Sequence, residues 1–267
     1  MTAISATLVK ELREMTGAGI MDAKRALQDT GGDVEAAKRL LREKGMASAD
    51  KRAGRATTEG KVGYRVQSDG SRGTIVGVGC ETEPVSNNDE FLSFAKKVLE
   101  LVDEQGVGAE TALEDERKEL SAKLGENIQV VAPARFERVD TGTIDGYAHP
   151  PANKLGVLVQ LRGGSDDLAR KIAMHIAASA PSYVTREDVP EELVTTERDI
   201  YLSSDEVQSK PEQAREKIVE GMINKRFFAA QVLAEQPWIH DTGKTVGQAL
   251  AEENAEVVEF ERISLTG

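Results

Sequence analysis

Cys80 and the three histidines are the residues whose types most readily do chemistry. A nucleophilic cysteine needs a base that holds it as thiolate, and His149 or His175 would have to supply one. No pair at a fixed spacing supports that arrangement. A cysteine that ends an apolar strand is ordinarily a small buried residue. The histidines lack the spacing of metal ligands. Two glycine motifs are equally incomplete. Gly17-Ala18-Gly19 follows a helical pattern rather than a strand, and Asp22 stands where a dinucleotide fingerprint needs its third glycine. Gly243-Lys244-Thr245 looks like the end of a phosphate loop, but Trp238 occupies the place of the leading glycine. Thr242 reads instead as the N-cap of a helix over 244–253. The sequence predicts no catalytic centre, no metal, no cofactor and no nucleotide site of its own.

What remains is a pair of carboxylates in an unusual setting, Gly73 to Phe91. Thr74, Ile75, Val76 and Val78, with Gly77 and Gly79 between them, predict a buried or closely packed strand. Glu81-Thr82-Glu83-Pro84-Val85 follows, and Pro84 has no ladder hydrogen bond to give. Ser86-Asn87-Asn88 offers helix caps. Phe91, Phe94, Ala95, Val98, Leu101 and Val102 then repeat at helical spacing. A loop with two acids and an apolar tip is thus held between a strand and a helix, in a position to press on a partner.

The elements around it follow from periodicity. Three short helices are predicted over 5–45, with Ser5 and Asp33 as N-caps and Gly45 as a terminating C′ residue. Leu8, Leu12 and Met15 form the first stripe, Ala23, Ala26 and Leu27 the second, and Val34, Ala37, Leu40 and Leu41 the third. Residues 1–46 form one domain and 47–60 a linker. Residues 61–140 read as hairpin, two helices and a closing strand, with Pro133 marking an edge or bulge. Residues 141–267 repeat hairpin, helix 166–180 and closing strand, and Phe136-Glu137-Arg138-Val139 echoes Phe260-Glu261-Arg262-Ile263. An insertion of about 187–228 carries the narrow stripes Leu193, Ile200, Val207 and Ala214, Ile218, Met222, the pattern of a helical hairpin that packs on itself. The fold class is α+β: a three-helix N-terminal unit, two related subdomains of antiparallel sheet plus helix, and the inserted hairpin.

Composition limits the function. The chain has 267 residues, 39% hydrophobic and 30% charged, enough for an aliphatic globular core. A net charge of −12 disfavours direct nucleic-acid binding, which needs basic surface. Residues 1–65 nevertheless hold 13 Lys/Arg against 9 Asp/Glu, a basic head on an acidic body. One cysteine excludes an internal disulfide and fits a reducing cytosol. Charges lie where a secretory apolar core would be, and no apolar run spans a membrane, so a cytoplasmic protein is expected.

These residues together resemble bacterial translation elongation factor Ts, a family of guanine-nucleotide exchange factors of elongation factor Tu. Thr16 to Leu27 is similar to the family's N-terminal signature, with Ala23 where cysteine is frequent. Cys80 to Val85 falls where the family has Cys-X-Thr-Asp-Phe-Val. Lys217 to Met222 and Lys244 to Gln248 look like its C-terminal motifs. The resemblance implies a ubiquitin-associated-like N-domain, a two-part core and an inserted coiled coil. It implies binding to elongation factor Tu through Ile20 and Met21, through Thr82, Glu83, Pro84 and Val85, and through His149 in the second subdomain. It leaves a homodimer or a 2:2 complex with that partner open. The family's Asp-Phe pair intrudes at the partner's Mg²⁺ and phosphates; this chain has Glu83 and Pro84 there, and the apolar part of the role is expected of Val85 or Phe91. Two other classes are weighed beside this one: a pure adaptor built on the N-terminal unit, and a hydrolase using Cys80.

Overall fold

The computed structural model describes residues 4–266. It opens with three helices, α1 (Ala6–Thr16), α2 (Ile20–Asp29) and α3 (Val34–Arg52). Ser5 and Asp33 cap α1 and α3 as their types require, accepting from the N–H groups of Leu8 and Ala36. Gly17 ends α1 in the left-handed conformation, φ +68°. Leu12, Ala23, Ala26, Leu27 and Ala37 are fully buried among them. The first stripe is shifted: Val9 is buried and Met15 is exposed.

The third helix does not stop at Gly45, and the linker expected over 47–60 is helical to Arg52. Gly45 has a different purpose. A Cβ there would lie 2.8 Å from the Cβ of Ala122, so the glycine allows α3 to dock closely on a helix of the core. Asp50–Lys118 (2.8 Å) and Arg42–Glu119 (2.5 Å) ion pairs flank that contact. The non-helical connection is short, because β1 already begins at Glu59.

Two three-stranded antiparallel sheets follow. The first has the order β1 (Glu59–Val66), β2 (Arg72–Cys80), β3 (Gln129–Glu137); between β2 and β3 lie α4 (Glu83–Ser86), α5 (Asp89–Gln105) and α6 (Glu114–Leu124). The second has the order β4 (Thr143–Ala148), β5 (Leu155–Arg162), β6 (Glu256–Ser264). Between its last two strands lie α7 (Asp166–Ser179), α8 (Glu191–Ser203), α9 (Asp205–Gln208), α10 (Glu212–Met222), a π-helical turn over Ile223–Phe228, α11 (Ala229–Gln231) and α12 (Val246–Glu252). Thr245, not Thr242, caps α12, in a reciprocal box with Gln248. Pro133 sits where two residues of β3 oppose the single Val76, the bulge its type foreshadows.

The sheets face each other, and each has helices on its far side. Val76, Val78 and Cys80 point to α5 and α6, while Val157, Val159 and Leu161 point to α7 and α12. Val62, Ile75, Phe136, Ile144, Leu158 and Ile263 fill the space between the sheets. Register corrects the apparent echo in sequence. Phe136 pairs with Gly73 and Ile263 with Gly156, so these two are the equivalent positions, and Phe260 faces α7 instead.

The insertion shows a second shifted stripe. Leu193 and Ile200 are exposed, 43% and 56%, rather than buried between helices. The apolar contacts of α8, α9 and α10 run instead through Val194, Tyr201, Val207, Val219, Met222 and Ile223. Among the described residues, no helix is long and apolar enough to cross a membrane.

One buried charge ties α5 to the first sheet. Asp103 is 1% exposed and accepts from Arg72 Nε at 2.9 Å, Thr74 Oγ1 at 3.0 Å and Gln67 Nε2 at 2.5 Å. Burial pushes its pKa up, but the bonds from Arg72 and Thr74 and the charges of Arg72 and Arg65 outweigh burial and hold it below the ordinary value. Its stabilisation is therefore complete above the unfolded pKa of about 3.9 and is lost as pH falls through the lower folded value. We expect Asp103→Asn to cost about 3 kcal/mol at pH 7, because Arg72 is left without its anion. Melting curves between pH 7 and pH 2 should show the variant losing less stability than the parent below pH ~4.

Candidate functional site

The segment after β2 is shaped by carboxylates that capture backbone. Cys80, the last residue of the strand, is fully buried. Burial, reinforced by Glu126, pushes its thiol up to about 12, so it stays protonated, and its Sγ–H donates to the Thr82 carbonyl at 3.3 Å. No thiolate is available there for nucleophilic chemistry. Beyond Cys80 the chain leaves the sheet, and its free N–H groups need acceptors.

Glu126 supplies them. It follows Gly125, which ends α6 at φ +78°. Glu126 Oε2 accepts from the N–H groups of Glu81 and Thr82, both at 3.0 Å, and Oε1 accepts from the Thr82 hydroxyl at 2.5 Å. Glu81 acts in return: its Oε1 accepts from the Asn127 N–H at 2.7 Å and lies 3.4 Å from Arg55 Nη1. The Asn127 amide donates to the carbonyls of Arg55, at 2.7 Å, and Ala53, at 3.3 Å. Residues 81–82, 126–127 and the connection at 53–55 thus form one hydrogen-bonded node.

From this node the chain makes the single helical turn α4. Thr82 is extended (φ −131°, ψ 152°) and Pro84 lies in the first turn, where a missing N–H costs nothing. Ser86 Oγ and Asn87 Nδ2 both donate to the Glu83 carbonyl, at 2.8 and 3.1 Å, closing the turn from within. Val85 packs partly against the α5 core. Thr82, Glu83 and Pro84 are exposed. Only the backbone carbonyl of Glu83 is engaged; among the described residues its carboxylate has no hydrogen bond or ion pair. It does not cap α5, whose cap is Asn88, accepting from Glu90 and Phe91. Phe91 is fully buried, so the apolar role expected of it is excluded, and Pro84 is the apolar surface the turn presents.

Ile20 and Met21 open α2 at 58% and 64% exposure. Gly19 precedes them without a side-chain cap. Their turn is joined to the neighbourhood of α4 by Lys123. The aliphatic part of Lys123 covers Gly17, whose added Cβ would lie 2.8 Å from its Cγ, and its Nζ pairs with Glu90 at 2.6 Å. His149 stands apart on the β4–β5 turn. It is exposed, and its Nδ1 is 2.8 Å from the Tyr147 hydroxyl. That turn abuts the start of β1, where the Asn153 carbonyl accepts from the Val62 N–H and the Ala152 carbonyl from Lys61 Nζ. Glu59 in turn pairs with Cys80.

His175 is a packing residue. Burial pushes its pKa down, so the ring is neutral at neutral pH; its Nε2 is 2.9 Å from Gln236 Oε1, and its ring lies 5.2 Å from that of Trp238. Among the described residues no group of three His, Cys, Asp or Glu is placed to hold a metal ion. Sequence reasoning did not find Lys123, Glu126 or Asn127. Glu126 and Asn127 lie 44 to 46 residues from their partners Glu81 and Thr82, and the types of all three are ordinary at the end of a helix.

A model of the family described as "Elongation factor TS" matches residues 81–266. Proteins named elongation factor Ts from Methylococcus capsulatus and Thioalkalivibrio sulfidiphilus are each 42% identical, over 98% and 97% of this chain and 92% and 91% of their own length. The one from Teredinibacter turnerae is 43% identical over 98% of this chain and 91% of its own length. With a family match over most of its length and relatives of this identity along nearly all of it, the chain belongs to the elongation factor Ts family.

Proposed function

We propose that the protein binds GDP-loaded elongation factor Tu and promotes GDP release so that GTP can enter. The observation that carries this reading is the state of Glu83. Its carboxylate stands on a rigid turn, beside an exposed proline, with its backbone fixed and, among the described residues, its charge unpaired. A free carboxylate brought to a Mg²⁺–phosphate site repels the phosphates and competes for the metal's coordination shell. Those effects act on the nucleotide-loaded partner and not on the empty one, which is the requirement for exchange. A factor that weakens nucleotide affinity 100-fold must supply about 2.7 kcal/mol of differential binding, and the coupling is reciprocal. The factor needs no nucleotide site and undergoes no chemistry.

The remaining parts have roles in the same reading. The three N-terminal helices act as a ubiquitin-associated-like module that presents Ile20 and Met21 to the partner's GTPase domain. His149 and the second subdomain engage a different part of the partner. The helices between α7 and α12 serve as a projecting coiled-coil hairpin. An adaptor without exchange activity would bind the loaded partner and leave its nucleotide in place.

Two substitutions test this. Met21→Asp removes exposed apolar surface and adds a charge at an interface; association should weaken about tenfold or more by titration calorimetry. The helical circular dichroism should be unchanged, since Met21 is not in the core. Glu83→Gln keeps the shape of the turn and deletes the charge. Release of a fluorescent GDP analogue at saturating factor should slow severalfold, with affinity nearly kept, because the lost term is differential rather than uniform binding. Equal release rates for Glu83→Gln and parent at saturation would remove the carboxylate from the mechanism.

A further inference from the structure

We infer that Glu126 is a positioning residue for the exchange turn, acting through the backbone of Glu81 and Thr82 rather than by touching the partner's nucleotide. This rests on the function proposed above. Three observations converge on it. All three donors that leave the β2 end unpaired by the sheet, the N–H groups of Glu81 and Thr82 and the Thr82 hydroxyl, are accepted by this one carboxylate, at 3.0, 3.0 and 2.5 Å. Charge-assisted bonds of this kind are shorter and stronger than neutral ones. The backbone of Glu126 is itself fixed, since its carbonyl accepts from Ser121 Oγ at 2.5 Å and Gly125 before it closes α6. Finally, the same stretch of chain holds the N-terminal helices: Ala122 meets Gly45, Lys123 covers Gly17, and Asn127 holds the carbonyls of Ala53 and Arg55.

The geometry gives Glu126 a specific effect. Thr82 is the residue before the turn, and its extended backbone sets the direction in which Glu83 and Pro84 project. The turn has no side-chain cap of its own, because the hydroxyl of its N-cap residue is spent on Glu126. Loss of the carboxylate frees the Thr82 backbone, so Glu83 samples other directions and reaches the productive one in a fraction of the complexes. Binding through the N-terminal helices and the second subdomain is unaffected by that loss. The consequence falls on release at saturation and not on affinity.

The test uses the full chain and GDP-loaded elongation factor Tu, with release followed at saturating factor. Glu126→Gln leaves one amide oxygen to accept from the two N–H groups, but it removes the charge and the acceptor of the Thr82 hydroxyl. The saturated release rate should fall about tenfold, the size of losing one hydrogen bond to a charged group, with the half-saturating concentration within about twofold of the parent. Glu83→Gln combined with Glu126→Gln should be no slower than the slower single variant, because both act through one turn. Thr82→Val removes a single donor and leaves Glu126 in place; it should slow release in the same direction but less, and it decides the matter if Glu126→Gln does not fold. An unchanged saturated rate in these variants, or a fall in melting temperature and affinity that accounts for the slower release, overturns the positioning role while leaving the exchange function intact. Fully additive single and double variants overturn it as well. A parent chain that fails to accelerate release overturns the exchange function and the positioning role together.

Discussion

The molecule depends on how closely its two sheets approach. Each sheet offers a glycine where the other offers a branched side chain: Val62 of β1 lies against Gly156 of β5, and Ile144 of β4 lies against Gly73 of β2. By strand register Val62 corresponds to Ile144 and Gly73 to Gly156, so the contact is made twice about an approximate two-fold. A Cβ on Gly73 would come within 2.5 Å of Ile144 Cγ2, well inside any contact real side chains make. Packed interiors do not yield to such intrusion without displacing their neighbours. The two glycines therefore set the relative placement of the sheets. The β4–β5 turn with His149 and the β2 end with Glu81 and Thr82 inherit their separation from it.

Much of this was legible in the chain. Strands rich in valine, isoleucine and glycine, caps at Ser5, Asp33 and Asn88, and the bulge at Pro133 follow from local rules that depend on near neighbours. The errors share a cause. Gly45 suits a helix end by type, yet it sits inside α3, and it is glycine because Ala122, 77 residues away, occupies the space a side chain would take. Leu193 and Ile200 have heptad spacing, yet one step of helical rotation places Val194 and Tyr201 inward instead. Thr242 and Thr245 are both good caps, and the reciprocal bond with Gln248 selects the second. The echo of Phe-Glu-Arg points to two related closing strands, as the two sheets show, but not to their register, because pairing rather than composition defines equivalence between strands.

The candidate site was half legible. An acid and a proline between a strand and a helix stand out from the chain itself. What keeps that acid unpaired and directed does not, because Glu126 and Asn127 act across more than 40 residues through backbone atoms that carry no residue identity. A carboxylate that accepts main-chain N–H groups selects for geometry rather than for particular neighbours, and so leaves no pattern of paired residue types to read.

The uninterrupted run of α3 to Arg52 has a consequence for how a partner is met. Two binding surfaces joined by a loose tether behave as separate ligands, and the second must search a volume set by the tether before it engages. Here α3 is docked along α6, and only a few residues between Arg52 and Glu59 are free of helix or strand, with Ala53 and Arg55 themselves held by Asn127. The exposed pair Ile20 and Met21 and the turn at Glu83 are accordingly held in a fixed relation rather than on a loose tether. On the proposed reading, contact at the first delivers the second at a local concentration fixed by the fold rather than by diffusion of a linker. Strain developed at one end is then carried to the other through packed helix, not dissipated in slack chain.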